Sequence, residues 1–192
     1  MLIFLNPVTE EAFDLVTGVA AYGDSAMDIS GTIKYAAYTS LNTKTYRTTK
    51  TGNGQTCAQK VIAAQPHRFY IMLGMNEVTW KSTDAVYEDW VSLIKYLKKK
   101  CPTTDIVVLS MSPVSQSKAS SVTGFKKIDA YNAIVQQAAE DCGVTYYDFT
   151  ASFKNSAGYL KSKYNGGDGI HWSRTGYQHF AEVLSAYDAT LD

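Results

Sequence analysis

Arg68-Phe69-Tyr70-Ile71-Met72-Leu73-Gly74-Met75-Asn76-Glu77 is the stretch on which the reading of this chain turns. Residues 69–73 are apolar or aromatic without alternation, the pattern of a strand buried on both faces of a parallel sheet. The run is too short for an ordinary helix, and Pro66 closes the element before it. In open α/β sheets ligands bind beyond the carboxyl ends of the strands. Asn76, just past that end, can therefore present its amide to a reacting group. An asparagine there is equally suited to capping a turn, and the residue alone does not choose.

The rest of the chain supplies the frame. Its 192 residues predict one domain over 1–192. Hydrophobic content of 45% with 19% charged residues is that of a globular chain. The formal net charge is zero, so nothing attracts nucleic acid or an anionic membrane at long range. The basic run Lys98-Lys99-Lys100 falls at a predicted helix end, where cations offset the carbonyl dipole. Cys57, Cys101 and Cys142 have no C-x-x-C spacing and suggest neither a zinc site nor a disulfide framework. No metal or cofactor is expected. The apolar Met1-Leu2-Ile3-Phe4-Leu5 is too short for a signal-peptide core, and no run is long enough to span a membrane. The expectation is a chain without a targeting segment, its compartment and oligomeric state left open.

Strands are predicted over 16–22, 43–49, 69–73, 106–109 and 144–149. A Thr9 cap begins a short helix through Phe13, and Met27, Ile29, Ile33 and Ala37 recur at helical spacing. The glycine loop Thr51-Gly52-Asn53-Gly54-Gln55-Thr56 leads into a helix through Val61. Ser82-Thr83-Asp84 starts another, with Val86, Trp90, Leu93, Ile94 and Leu97 as its apolar stripe. Residues 111–124 read as a long serine-rich loop, a candidate rim or lid. Ile128, Tyr131, Ile134, Val135, Ala138 and Cys142 mark a helix closed by Gly143, and Ser173 caps the last one. Strands alternating with helices predict an α/β domain, a three-layer α/β/α sandwich around a five-stranded parallel sheet.

Three short motifs fall in loops that follow predicted strands: Gly23-Asp24-Ser25, Gly74-Met75-Asn76 and Asp168-Gly169-Ile170-His171. A serine hydroxyl is a poor nucleophile until a base takes its proton, and histidine suits that task near neutral pH. Of the three histidines, His67 precedes the central strand, at the wrong end of the sheet, and His179 lies within the last helix. His171 alone sits at the right end, with Asp168 three residues before it as an acceptor that would hold one tautomer. A tetrahedral intermediate also needs oxyanion donors, which Asn76 and loop amides can supply.

Taken together, G-D-S at 23–25, the glycine of G-Q-T at 54, G-M-N at 74–76 and D-G-I-H at 168–171 resemble the SGNH (GDSL-type) hydrolase superfamily. The resemblance runs from Val19 to Tyr187. It implies a flavodoxin-like sheet and a carboxylic ester hydrolase needing no cofactor. Ser25 would be the nucleophile, His171 the base and Asp168 its partner. The backbone amide of Ser25, Gly54 and Asn76 would form the oxyanion hole. Ala26 stands where the family has the leucine of its name, and Gly52 is an alternative to Gly54. The implied substrate is a small-molecule or carbohydrate ester, with acetyl the first acyl group to consider.

Other classes compete. The glycine loop at 51–56 resembles a flavodoxin phosphate loop but follows the second predicted strand, and neither a P-loop nor G-x-G-x-x-G is present. A non-catalytic glycan-binding module on a degenerate hydrolase fold could use the fourteen Tyr and three Trp for stacking, although most of these fall on core-facing positions. An acyltransferase would use the same triad, since hydrolysis and transfer share an acyl-enzyme.

Overall fold

The computed structural model describes residues 40–191 apart from Asn53, together with two backbone segments, Asp14–Thr17 and Lys34–Tyr35. The central run forms β3 (Arg68–Ile71), every residue of it buried. Phe69 and Ile71 pack into one core cluster, while Tyr70 and Met72 pack into another. In β4 (Asp105–Leu109), Ile106 and Val108 divide from Val107 and Leu109 in the same way. Alternate side chains point to opposite faces of a strand, so an unbroken apolar run is what a sheet covered on both sides requires.

The sheet is parallel throughout, in the order β2-β1-β3-β4-β5, with β1 at Asp14–Thr17, β2 at Lys34–Tyr35 and β5 at Thr145–Tyr147. Helices α1 (Cys57–Ala64), α2 (Thr83–Lys100) and α4 (Ile128–Asp141) feed the first cluster. Helix α5 (Arg174–Asp188) feeds the second through Phe180, Ala181 and Leu184. The short α3 (Gln116–Ser121) lies between β4 and α4. This is an α/β fold with a parallel sheet flanked by helices.

Local chemistry sets the helix ends. Thr56 and Gln59 form a reciprocal capping box on α1, Ser82 caps α2 and Ser173 caps α5. Gly143 takes a φ of +61° just past α4, as a left-handed helix stop needs. The Lys98 ammonium donates to the carbonyl oxygens of Cys142 and Gly143 at 2.6 and 3.1 Å, tying the end of α2 to the end of α4. At the amino end of β3 the buried Arg68 bonds Asp105 at 3.0 Å and Asp188 of α5 at 2.5 Å, and the Tyr70 hydroxyl donates to the same carboxylate. The three cysteines are free and buried, and that burial pushes each thiol pKa up.

Four expectations change. Residues 43–49, expected as a strand, instead form a turn and the 3₁₀ segment Thr45–Arg47. Asn42 Oδ1 accepts from the amides of Lys44 and Thr45 at 3.1 and 2.9 Å, and these side-chain bonds replace the ladder a strand would need. The strand of that part of the sheet is Lys34–Tyr35, within the stretch read as helical from Met27 to Ala37. The first strand lies at Asp14–Thr17, earlier than the expected 16–22, and residues 18–22 fall outside the described residues, as does the helix expected to end at Phe13. The serine-rich loop at 111–124 contains α3, capped by Ser115. Among the described residues no helix is long and apolar enough to cross a membrane, and no cluster of side chains could hold a metal ion.

Candidate active site

The segment after β3 reverses direction at Gly74, whose φ is +130°. A Cβ there would lie 2.7 Å from the Tyr131 ring, so glycine is required both by the backbone and by the aromatic pressed against it. Turns follow in which Glu77 and Val78 donate to the Gly74 carbonyl, and Trp80 and Lys81 to that of Glu77. They carry Asn76 to an exposed position. Its Nδ2 donates to the Leu41 carbonyl at 2.8 Å. An amide nitrogen has two protons, so this bond orients the group and leaves a second donor.

Beneath Asn76 lies a buried polar cluster that sequence reasoning missed. The Glu77 carboxylate is fully buried. It accepts from the Thr43 hydroxyl at 3.1 and 3.0 Å, from the Tyr131 hydroxyl at 2.6 Å and from the Lys81 ammonium. Lys81 also reaches Asp89 at 2.7 Å and Thr43 at 3.2 Å. Burial alone would lower the lysine pKa, but the bonds to Asp89 and Glu77 outweigh it and hold it above the usual range. Burial, reinforced by the adjacent Glu77, likewise pushes the Tyr131 phenol upward. The available signal was an acid directly after G-M-N with a lysine four residues on, which reads as easily as a surface pair.

The other expected site residues, Asp168 and His171, lie in the loop between β5 and α5. Asn165 Oδ1 accepts from the amides of Gly167 and Gly169 at 3.0 and 2.9 Å. Asp168 Oδ1 accepts from those of Ile170 and His171 at 2.9 and 2.8 Å. Asp168 Oδ2 meets His171 Nδ1 at 2.5 Å. Partial burial would raise the Asp168 carboxyl, but the His171 ring and these two amides hold its pKa down to about 2. An ionised acceptor on Nδ1 fixes the neutral imidazole with its basic lone pair on Nε2. The loop is braced against the segment following β4: Ser115 donates its amide to the Gly169 carbonyl at 2.8 Å, and Trp172 Nε1 donates to Ser112 Oγ at 2.8 Å. Asp168, His171 and Asn76 thus all lie in segments that follow the carboxyl ends of strands.

The remaining expectations divide. Gly23, Asp24 and Ser25 lie outside the described residues. Gly54 has a φ of +79° with open space beside its Cα, yet its N–H already donates to the Thr51 carbonyl at 2.8 Å. His67 precedes β3, where its carbonyl accepts from Asp105 at the opposite end of the sheet. His179 stacks on Tyr164 with ring centroids 4.7 Å apart, a packing role in α5.

Comparison with known proteins identifies the family and the fold. A model of the GDSL-like lipase/acylhydrolase family matches residues 21–179. No curated protein sequence matches the chain. Among solved structures, a GDSL-like lipase from Bacteroides thetaiotaomicron superposes with a TM-score of 0.69 at 14% identity, covering 98% of this chain and 93% of that one. The acetylxylan esterase Axe2 from Geobacillus stearothermophilus gives 0.67 at 16% identity, covering 91% and 92%. The acetyl xylan esterase AlAXEase gives 0.63 at 15%, covering 81% and 80%. At these identities the likeness is one of fold. With a family model spanning both the G-D-S and the D-G-I-H motifs, the chain belongs to the GDSL-like lipase/acylhydrolase family.

Proposed function

We propose that this protein is a serine esterase that removes short acyl groups, foremost acetyl, from carbohydrate or similar alcohols. The catalytic unit is a single domain over residues 1–192, a three-layer flavodoxin-like α/β/α sandwich. The observation that carries the proposal is the Asp168–His171 pair, an ionised carboxylate on Nδ1 of an imidazole in a loop following a strand end. The acetylxylan esterases among the structures of like fold make acetyl the first acyl group to try.

In this mechanism the Ser25 hydroxyl attacks the acyl carbonyl while His171 Nε2 takes its proton. The charge on the carbonyl oxygen is met by Asn76 Nδ2 and the Ser25 amide, donors that matter most in the transition state. Gly54 joins them when its N–H leaves the Thr51 carbonyl, and Gly52 is the alternative. Collapse expels the alcohol, which receives the proton from His171. Water, deprotonated by the same imidazole, then releases the carboxylate and restores Ser25. Asp168 holds the ring and offsets its positive charge in both steps.

A fluorophosphonate tests the nucleophile. The expected result is one adduct by intact mass, mapped to Ser25 and absent from Ser25→Ala. A p-nitrophenyl ester series should show turnover falling as the acyl chain lengthens, with acetylated xylan as the glycan substrate. Labelling elsewhere, or none in folded protein, removes Ser25 as nucleophile. A preference for long acyl chains removes the acetyl assignment alone.

A further inference from the structure

Among the described residues Trp80 stands apart from the other aromatic side chains. The chain has three tryptophans; Trp90 and Trp172 are 0% and 5% exposed, whereas Trp80 is 64% exposed. It does not hang loose. Its indole N–H donates to the Asn76 carbonyl at 2.9 Å, and the Lys81 ammonium sits 5.4 Å from the ring centroid. That ammonium is itself clamped by Glu77 and Asp89. A large apolar ring is thus pinned at its polar edge to the backbone of Asn76, four residues along the same segment.

We infer that Trp80 is a stacking platform for a pyranose ring of the substrate, placed beside the scissile ester. This rests on the esterase proposal, because it is Asn76 that would locate the acyl carbonyl next to the indole. The apolar C–H face of a pyranose matches the face of an indole. The ring's polar edge is already satisfied, so binding costs no hydrogen bond, and its fixed orientation means little side-chain freedom is lost on contact. The occupant is a neutral glycan, since the clamped Lys81 has carboxylate partners and is not positioned as an anion trap. Such a platform discriminates among alcohols and leaves the choice of acyl group to other residues.

Iodide quenching of tryptophan fluorescence reads this site directly, because Trp80 is the indole that iodide can reach. Millimolar xylohexaose or chitohexaose, both unacetylated, should lower the quenching slope of the wild-type protein at least about twofold and saturably. In Trp80→Phe the iodide-sensitive signal should vanish, which assigns it. For kinetics, the ratio of kcat/KM on acetylated xylo-oligosaccharide to that on p-nitrophenyl acetate should fall on the order of tenfold in Trp80→Ala, mainly through KM, and much less in Trp80→Phe. An equal fall on both substrates would mean that the indole only braces the Asn76 segment, and overturns the inference. So would the absence of protection by either oligosaccharide in the wild type, a measurement that requires no variant to fold. Protection without acyl-enzyme formation would keep the glycan seat and remove the esterase; turnover without protection would do the reverse.

Discussion

Replacing Glu77 with alanine measures how far the segment bearing Asn76 depends on one buried carboxylate. Breaking a buried ion pair by removing one member costs about 3–5 kcal/mol. Two features pull the value toward the lower end. Lys81 keeps Asp89 at 2.7 Å and Thr43 at 3.2 Å, so its charge is not orphaned. Tyr131 still accepts from Trp90 Nε1 at 3.3 Å. One feature pushes the other way, because the Tyr131 hydroxyl loses its acceptor in a buried setting, a loss of about 1–3 kcal/mol in itself. The expected cost is therefore about 3–5 kcal/mol. In a chain of this size each kcal/mol lowers Tm by about 2–4 °C, so the variant should melt roughly 6–20 °C early. Glu77→Gln keeps the volume but loses the charge and turns an NH₂ group toward donors, and should cost roughly half as much. Urea unfolding followed by fluorescence and by circular dichroism gives both values. A Glu77→Ala protein within about 1 kcal/mol of its parent would refute the assignment of Glu77 as the keystone of this cluster.

Three further predictions are independent of that cluster's energy or test its titration. Asn76→Ala should lower kcat on the order of 10²–10³ with little change in KM, while losing only the Leu41 bond, about 1 kcal/mol, from stability. Early melting with normal turnover per folded molecule would make Asn76 a turn residue. Asp168→Asn should lower kcat on the order of 10⁴ through the wrong imidazole tautomer. The Asp168 carboxyl is held near 2 against an ordinary 3.8, so its contribution is present above about pH 4 and lost as pH falls through 2. With 45% of that side chain exposed the contribution is screened to about 1 kcal/mol or less, and a Tm gap to Asp168→Asn that persists at pH 2 would contradict it. At the alkaline end, Tyr131 and Lys81 both bind their protons more tightly folded than unfolded. Stability should hold below about pH 10 and fall above it, and Tyr131→Phe should flatten that fall in pH-dependent melting curves.

How much of this could be read in advance depends on where the deciding contacts lie. Residues 69–73 and 106–109 announced buried strands because burial on both faces leaves its mark residue by residue. The stripe from Val86 to Leu97 gave α2, and Ser82, Gly143 and Ser173 marked helix ends, since capping acts within a few residues. The stretch 43–49 misled because its alternation of Thr, Tyr and basic residues mimics a strand. Asn42 captures the local amides, and Thr43 is claimed by Glu77, 34 positions away. No periodicity encodes a partner at that separation. For the same reason Asp168 and His171, three residues apart, were legible as a pair, whereas the set of Thr43, Glu77, Lys81, Asp89 and Tyr131 was not. The N–H of Gly54, engaged by Thr51, was equally invisible, since glycine spacing says nothing about where an amide points.

The buried thiols turn the chain into its own set of clocks. Cys57 opens α1, while Cys101 and Cys142 stand at the ends of α2 and α4, three separate stations along one helical layer. A thiol that is both shielded and held in its protonated form ignores alkylating reagents until its surroundings part. The rate at which each cysteine takes up a label in native conditions therefore times the opening of its own helix end. Mass spectrometry of the three peptides, collected over minutes to days, would rank those openings without introducing a probe. If α2 and α4 come loose together, as the Lys98 tie to Cys142 and Gly143 requires, Cys101 and Cys142 should keep the same time while Cys57 runs on its own.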